Sequence, residues 1–473
     1  MKNNLIKLIF SSGLQAIAVQ VLGVLFFYAI GRYLSKDDFG IINGANAKAV
    51  MLTTLLSFGM DQVVVRRIAA SKSSDWAASA YLFHAFATSV IVFIALLMCG
   101  YLFGGEIDVL VYLPWFFAAQ ALTFIGAPLK QLLNAKQRFT PYGVIAIFSN
   151  LLKIGLAFYL VKVQQLSLTT VVAVMILCAI LELVALLLYV LNKANFSFRF
   201  KGLAYKKLIR ESLPQYISVI FDSSLSRMDW VLLGLLSTAA MTADYAVASR
   251  AFEVARLPLT IIAPILLSQF ARMLASGNKI ADDKKLMVRQ LFTLEMFLAM
   301  FIPIIGNILW APVLDALFKG KYGTANATEF LLLSVCVPIQ FGVNLLWTLS
   351  FSGRRYKQIT AITIYSAISN ICLSVILIPR YGSLGAAISF LLTSIFQLIG
   401  HFLLVRKNLM AMPLQNFFLF LVVAAVSYGG SIYLTDSIFA RLLIATVSYV
   451  GLSLFFRLIH KGHIDTVKLF IKR

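Results

Sequence analysis

Apolar residues occur in fourteen stretches, each about 20 residues or longer, between Ser11 and Ile459, and short polar loops separate nearly all of them. A helix needs about 20 mostly apolar residues to cross the hydrocarbon core of a bilayer. Only helices and closed barrels satisfy their backbone hydrogen bonds in lipid, and the stretches lack the alternation that is typical of barrel strands. The pattern therefore predicts an all-α polytopic membrane protein with about fourteen transmembrane helices.

The first predicted span follows Lys2 and Lys7, as the apolar core of a signal peptide would. Its apolar run is long and contains Gln15 and Gln20, which favours a helix that faces a bundle. Almost no chain lies outside the spans, so we expect the function to be carried by helices within the membrane. The predicted spans cover residues 11–31, 40–60, 77–103, 109–128, 141–163, 166–190, 213–236, 244–270, 287–311, 327–351, 358–379, 384–405, 414–434 and 438–459.

Lys and Arg are distributed unevenly between the two sides of the membrane. With the N-terminus inside, the inner segments contain 29 of them and the outer loops contain seven. Cytoplasmic segments of membrane proteins carry this excess, so we predict that both termini are cytoplasmic. The excess also explains the formal net charge of +22 without nucleic acid. The four cysteines lie singly in apolar spans and indicate neither disulfides nor a metal site.

The two halves of the chain resemble each other. Ser149 and Asn150 in span five recur 220 residues later as Ser369 and Asn370. Parallel repeats of this kind occur in transporters with the substrate site between the halves, and chance likeness between apolar helices is the alternative. We predict two pseudo-symmetric six-helix lobes and two further C-terminal helices. The predicted parts are residues 1–195 (N-terminal lobe), 196–212 (cytoplasmic amphipathic linker), 213–405 (C-terminal lobe) and 406–473 (last two spans and basic cytoplasmic tail).

Ten charged residues lie in the interior of the predicted spans, away from the span ends, and a charge costs about 2.5–3.5 kcal/mol at the bilayer centre. Five are cations and five are acids, so complete mutual pairing is one explanation. The cations are Lys48, Lys153, Arg227, Arg250 and Arg256, and the acids are Glu182, Asp222, Asp229, Glu253 and Glu295.

Span eight favours another explanation for its charges. At about 100° per residue, Arg250, Glu253 and Arg256 share one wedge of the helix. One arginine can pair with Glu253, and the other needs a partner such as a pyrophosphate, which matches the guanidinium fork. A purely structural cluster is the alternative. Pro258 and Pro264 each remove a helix hydrogen bond and predict a bend.

The other charged residues give weaker indications. Lys48 and Lys153 lie near the middle of their spans, and Asn150 shares the face of Lys153, as suits a wet cavity. Arg227 lies about 140° from Asp222 and either faces the cavity or ties span seven to a neighbour. The candidate substrate-binding residues are Lys48, Lys153, Arg227, Arg250 and Arg256, and the candidate coupling or pairing residues are Asp222, Asp229, Glu253 and Glu295.

No feature of the sequence indicates an enzyme or a cofactor. His84 and His401 are lone polar residues in apolar spans, and hydrogen-bonded packing is favoured over a proton relay. The chain contains no Gly-x-x-x-x-Gly-Lys-[Ser/Thr] motif for a nucleotide. We therefore predict no catalytic residue, no metal and no cofactor, and expect an ion gradient, the membrane potential or the lipid gradient to drive transport.

Several motifs together resemble the multidrug/oligosaccharidyl-lipid/polysaccharide exporter (MOP) superfamily, in particular its Wzx-type polysaccharide flippases. The resemblance covers spans one to twelve and implies export of an undecaprenyl-pyrophosphate-linked oligosaccharide to the outer leaflet of the bacterial inner membrane. It also implies O-antigen, capsule or exopolysaccharide synthesis, with a polymerase and a chain-length regulator as partners. The motifs are residues 31–40 (GRYLSKDDFG), 212–214 (SLP) with 227–229 (RMD), 244–253 (DYAVASRAFE) and 381–387 (YGSLGAA).

Three rival functions are left open. A membrane polymerase or ligase needs a large outer loop, and the longest one here, near 312–326, is short. A cation-coupled drug exporter would need acids in its cavity, whereas span eight has an excess of arginine. A lipid II flippase handles the same undecaprenyl-pyrophosphate group and can have fourteen spans, so sequence chemistry barely separates it from a polysaccharide flippase.

Overall fold

The structure is a computed structural model that describes residues 2–70, 75–103, 108–136, 138–194, 196–274, 282–459 and 462. These residues form sixteen α-helices and no β-strand, which confirms the predicted all-α polytopic membrane fold. The helices are α1 (Lys2–Tyr33), α2 (Lys36–Leu56), α3 (Met60–Ala70), α4 (Asp75–Phe103), α5 (Asp108–Ala135), α6 (Phe139–Lys162), α7 (Leu168–Lys193), α8 (Gly202–Leu236), α9 (Ala239–Ala255), α10 (Leu257–Leu274), α11 (Asp282–Ala299), α12 (Phe301–Phe318), α13 (Ala327–Ser352), α14 (Tyr356–Asn408), α15 (Leu414–Leu434) and α16 (Ile438–Phe455).

Among the described residues, eleven helical segments are long and apolar enough to cross a membrane. Fourteen spans are predicted, so three of them are not counted separately among these eleven segments. Span one is present as the shorter apolar helix Ile17–Tyr33, and span seven lies in α8, whose apolar half carries three charged side chains. Spans eleven and twelve are the two arms of α14, which reverses at Gly382 with φ 55° and ψ −128°. With these three, the fourteen predicted spans are all accounted for.

Two breaks interrupt predicted spans. Span eight is split into α9 and α10 at Arg256, two residues before Pro258. A proline cannot donate the backbone hydrogen bond that would continue the helix, so the predicted discontinuity is present. Span nine is split at Met300 into α11 and α12, three residues before Pro303, which likewise lacks a backbone donor.

The chain divides into two compact units, Met1–Ala243 and Asp244–Arg473. In the first unit, α5 packs against α2, α3, α4 and α7, and α1 packs against α6. Helix α8 runs without interruption through most of the predicted linker 196–212 into span seven, and it packs against α2, α3 and α4. Span seven therefore packs against helices of the first unit, and the lobe boundary at residue 213 stays a prediction.

In the second unit, α13 packs against both arms of α14 and against α10, α11 and α12. The last two helices, α15 and α16, pair with each other and contact this unit through α11 and α12. One such contact is the Tyr449 hydroxyl, which donates to the carbonyl oxygen of Phe297 at 3.0 Å. The two C-terminal helices are thus an addition to the helices of the repeat.

Each copy of the repeated motif contributes one interhelical hydrogen bond, from the serine in the first copy and from the asparagine in the second. In the first unit, the Ser149 hydroxyl of α6 donates to the carbonyl oxygen of Cys178 in α7 at 3.3 Å. In the second, the Asn370 amide on the first arm of α14 donates to the Thr393 hydroxyl on the second arm at 3.5 Å. Both contacts join the fifth span of a half to its sixth, and interhelical polar contacts of this kind hold membrane helices together.

Gly40 in the 31–40 motif marks a very close approach of α2 to the start of α9. A methyl group at Gly40 would overlap the backbone carbonyl of Ala239, which cannot rotate away. We expect Gly40→Ala to lower the free energy of unfolding by about 2–3 kcal/mol, because overpacking against backbone forces helices apart. Gly155→Ala on α6 is the control, since no heavy atom lies within 4 Å of the added methyl group. Thermal unfolding of both variants in detergent tests this, and equal stability would contradict it.

Candidate functional site

A salt bridge lies among the membrane helices of the first unit. The Lys130 ammonium of α5 is 3.1 Å from Glu182 Oε1 of α7, and it also lies 4.9 Å from the centre of the Tyr142 ring. The sequence placed Lys130 in a cytoplasmic loop because the predicted span ended at residue 128. Helix α5 instead continues to Ala135, so Lys130 belongs to the helical bundle.

Lys153 of α6 lies near this salt bridge. Its ammonium lies 5.8 Å from the centre of the Phe26 ring of α1, and it interacts electrostatically with Glu182 and Lys130. We call Lys130, Lys153 and Glu182 the lysine cluster. Glu182 pairs with Lys130 and acts on Lys153 only electrostatically, so the lysine cluster contains two cations and one acid.

Lys48 of α2 has a different kind of partner. Its side chain is buried, and its ammonium donates to the carbonyl oxygen of Gly234 in α8 at 3.3 Å. A side chain at position 234 would meet this ammonium. Within the described residues no carboxylate lies in ion-pair distance of Lys48. The structure therefore assigns Lys48 a contact that holds α2 against α8.

The three charged residues of span seven lie in different environments on α8. Asp222 is exposed, and Arg227 is half-buried. Asp229 is buried, and its Oδ1 accepts the backbone N–H of Trp230 at 2.9 Å. Arg227 and Asp229 also interact with neighbouring groups. The two acids do not form one site, although they share a helical face in the sequence.

The charges of span eight adopt the arrangement that their spacing suggested. Arg250 Nη1 is 2.8 Å from Glu253 Oε2, one turn along α9. The Arg256 guanidinium lies 5.1 Å from the centre of the Phe252 ring. Among the described residues, the buried Arg256 Nε has no hydrogen-bond acceptor. Glu253 acts on Arg256 only electrostatically, so the second arginine has no carboxylate of its own, at the point where α9 and α10 separate.

The family model described as polysaccharide biosynthesis protein matches residues 5–270, which is more than half of the chain. The chain belongs to this family. Curated proteins yield no match to the sequence.

Solved structures with the same fold include several transporters. The lipid II flippase MurJ in an inward closed conformation has a TM-score of 0.73 and 15% identity, covering 94% of this chain and 99% of that one. A multidrug resistance MATE family transporter of the MOP superfamily, inward-facing, has a TM-score of 0.63 and 14% identity, covering 82% and 95%. A MOP superfamily transporter from Pyrococcus furiosus has a TM-score of 0.59 and 14% identity, covering 85% and 95%. The fold of this polysaccharide biosynthesis protein is therefore that of MOP superfamily transporters and flippases, as its motifs implied.

Glu295 on α11 is a further charged residue among the membrane helices of this family member. Its Oε1 is buried and has no hydrogen-bond partner among the described residues. Nothing in its spacing separates it from the other acids of the sequence, so only the tertiary structure shows that one of its oxygens lacks a donor. Glu295 is the acid that best suits transient protonation or cation binding during transport, and this role is a proposal.

His84 and His401 are the buried histidines in the described part of this polysaccharide biosynthesis protein. His84 contacts the Tyr205 hydroxyl at 2.9 Å and the Leu56 carbonyl oxygen at 2.8 Å through its two ring nitrogens. His401 is buried, and its Nδ1 has no partner in the described part of the chain. The four cysteines are free, and the described residues contain no group of three metal-binding side chains.

Proposed function

We propose that this protein moves an undecaprenyl-pyrophosphate-linked oligosaccharide from the cytoplasmic to the outer leaflet of the bacterial inner membrane. The observation that carries the proposal is that cations outnumber acids in two local groups of side chains on its membrane helices. The lysine cluster of the first unit contains two cations and one carboxylate. In the second unit, the two arginines Arg250 and Arg256 interact with the single carboxylate of Glu253. Membership of the polysaccharide biosynthesis family supports the sugar-linked substrate.

A pyrophosphate headgroup fits the chemistry of Arg256. A guanidinium presents two parallel N–H donors that match phosphate oxygens, and such charge-assisted contacts are about twice as strong as neutral ones. Arg256 lies at the break between α9 and α10. Broken membrane helices in transporters line polar cavities, because their free backbone groups need polar partners. We infer that the headgroup enters from the cytoplasm by alternating access while its lipid tail stays in the bilayer.

The contact between Arg250 and Glu253 suggests a different role for Arg250 than direct substrate binding. By occupying Glu253, Arg250 keeps that carboxylate from neutralising Arg256, so we propose it as a positioning residue. Lys48 and Arg227 stay candidates for the substrate, and Asp222, Asp229, Glu253 and Glu295 stay candidates for coupling. A polysaccharide polymerase and a chain-length regulator are proposed partners.

A double substitution tests this role of Arg250. Arg250→Ala alone should lower transport about tenfold, because Glu253 is then free to pair with Arg256, and a loss of about 1.4 kcal/mol is a factor of ten. Adding Glu253→Ala should restore most of the transport, since Arg256 then has no carboxylate that competes with the substrate phosphate. The measurement is flipping of labelled lipid-linked oligosaccharide in proteoliposomes. A double variant as defective as Arg250→Ala would show that Arg250 itself contacts the substrate.

Lipid II is the second candidate substrate, because the MurJ structure covers 94% of this chain at a TM-score of 0.73. The two candidates share the pyrophosphate and differ in the sugars. Proteoliposomes containing the purified protein and either fluorescent lipid II or a fluorescent undecaprenyl-pyrophosphate oligosaccharide distinguish them. We expect faster flipping of the oligosaccharide. Faster flipping of lipid II would reassign the protein to peptidoglycan synthesis, and flipping of neither would refute transport of this lipid class.

A further inference from the structure

The segment between span six and span seven carries a basic and apolar surface, which we call the linker surface. Two of its apolar side chains protrude strongly, with Phe198 58% and Leu203 88% exposed. Five cations alternate with them along residues 199–210 and are all exposed. The linker surface consists of Phe198, Arg199, Phe200, Lys201, Leu203, Lys206, Lys207 and Arg210.

Hydrogen bonds hold the start of the linker surface against α4. The Ser197 backbone N–H and hydroxyl both donate to Asp75 Oδ2, at 3.3 and 3.2 Å. The Arg199 backbone N–H donates to the Ser79 hydroxyl at 2.9 Å. Phe196 is buried beneath them. The outward side chains are thus presented by a backbone that is already fixed, which reduces the entropic cost of binding a partner.

The far end of the linker surface is held by α3 and α4. The Tyr205 hydroxyl contacts His84 of α4, and Arg67 of α3 forms a bidentate ion pair with Glu211, including one contact of 2.7 Å from Arg67 Nε to Glu211 Oε2. The hydrogen bond from Arg67 lowers the pKa of Glu211 below its usual value. Glu211 is the only acid in residues 196–212, and its carboxylate is paired with Arg67, which leaves the cations of the linker surface available for other anions.

The position of the linker surface along α8 indicates what it meets. Helix α8 is continuous from Gly202 to Leu236, and the apolar span within it starts near Leu213. At a rise of about 1.5 Å per residue, Lys206 and Arg210 lie about 5–10 Å from the start of the apolar span. That distance corresponds to the headgroup layer of a bilayer. In the described part of the chain, neither side chain has an ion-pair partner.

We propose that the linker surface binds anionic phospholipid headgroups of the surrounding leaflet. Lys206, Lys207 and Arg210 contact the phosphates, and the side chains of Phe198 and Leu203 insert at the boundary with the acyl chains. Basic segments with exposed apolar residues bind anionic membrane surfaces in this way, each cation contributing about a factor of five in affinity. An acidic soluble protein fits the linker surface less well, because it would not contact apolar side chains at the depth of the headgroups. The proposal does not depend on which substrate is transported.

The test is lipid binding by the full-length protein in detergent, measured by native mass spectrometry with added phosphatidylglycerol or phosphatidylcholine. The wild type should prefer phosphatidylglycerol. The triple variant Lys206→Gln, Lys207→Gln, Arg210→Gln should weaken phosphatidylglycerol binding at least about tenfold, because three factors of about five are removed. The matched control is Lys357→Gln, Arg406→Gln, Lys407→Gln, which removes three exposed cations from the second unit. We expect it to change binding less than about twofold.

A second measurement keeps the proposal testable if the triple variant does not fold. Raising the salt concentration from about 0.05 to 0.5 M should weaken phosphatidylglycerol binding to the wild type severalfold and leave phosphatidylcholine binding unchanged, because salt screens exposed charges. Equal binding of phosphatidylglycerol by wild type and triple variant, or binding independent of salt, would overturn the proposal. If the variant keeps its phosphatidylglycerol binding but loses flipping, the surface captures the substrate or a protein partner instead. Lipid binding as expected without any flipping would refute only the proposed transport.

Discussion

Arg256→Ala is expected to lower flipping of the lipid-linked oligosaccharide by one to two orders of magnitude. A bidentate charge-assisted contact to a phosphate contributes about 1.5–3 kcal/mol, and each 1.4 kcal/mol is about a factor of ten. Arg256→Lys should recover only part of this loss, because lysine keeps the charge but lacks the planar fork. The measurement is the initial flipping rate in proteoliposomes, normalised to the amount of reconstituted protein.

Two controls separate a binding role of Arg256 from a structural one. Arg406→Ala removes an exposed arginine from the end of α14 in the same unit, and its flipping rate should equal that of the wild type. The unfolding temperature of Arg256→Ala should stay close to that of the wild type, since burial of an arginine without its own carboxylate is costly in itself. A normal flipping rate for Arg256→Ala would remove Arg256 from the substrate site.

Glu182→Ala is expected to destabilise the first unit by about 3 kcal/mol. The substitution removes the ion-pair partner of Lys130 and the carboxylate that acts electrostatically on Lys153, and removal of one partner from a buried pair costs about 3–5 kcal/mol. The side chains of Lys130 and Glu182 are each about 15% exposed, so the lower end of that range applies. Thermal unfolding in detergent, followed by circular dichroism, measures the loss.

The compensating double substitution distinguishes stability from transport. Lys130→Met with Glu182→Met should regain most of the stability, because a buried ion pair can be replaced by packed apolar residues at little cost. This double variant should continue to flip lipid, since Lys153 keeps its charge. Lys153→Met should show the reverse, with normal stability and slower flipping. If Lys153→Met flips at the normal rate, the lysine cluster has only a structural role.

The sequence predicted the local part of the charged site well. Arg250, Glu253 and Arg256 lie within two helical turns, so their angular spacing already restricts which of them can meet. The structure contains the Arg250–Glu253 pair and leaves Arg256 without a carboxylate in the described region. Pro258 likewise predicts the break at Arg256, because the loss of a backbone donor is a property of the residue itself.

The lysine cluster could not be predicted in the same way. Lys130 and Glu182 are 52 residues apart on different helices, and hydropathy does not specify how a membrane helix is rotated against its neighbours. The end of α5 was also predicted too early. The polar residues near Lys130 resemble a loop by composition, whereas the surrounding helices bury them and supply their partners, so that the helix continues to Ala135.

The sequence alone determined the class of this protein, since the cost of placing polar backbone and side chains in lipid is local and additive along each apolar stretch. It determined the fourteen spans, the asymmetry of Lys and Arg, and the discontinuity in span eight. The tertiary structure decided which helices associate. Lys48 reaches Gly234 across 186 residues, and α8 packs against α2, α3 and α4. Such contacts depend on close packing between helices and on polar groups that meet only after folding, so no single stretch of the chain encodes them.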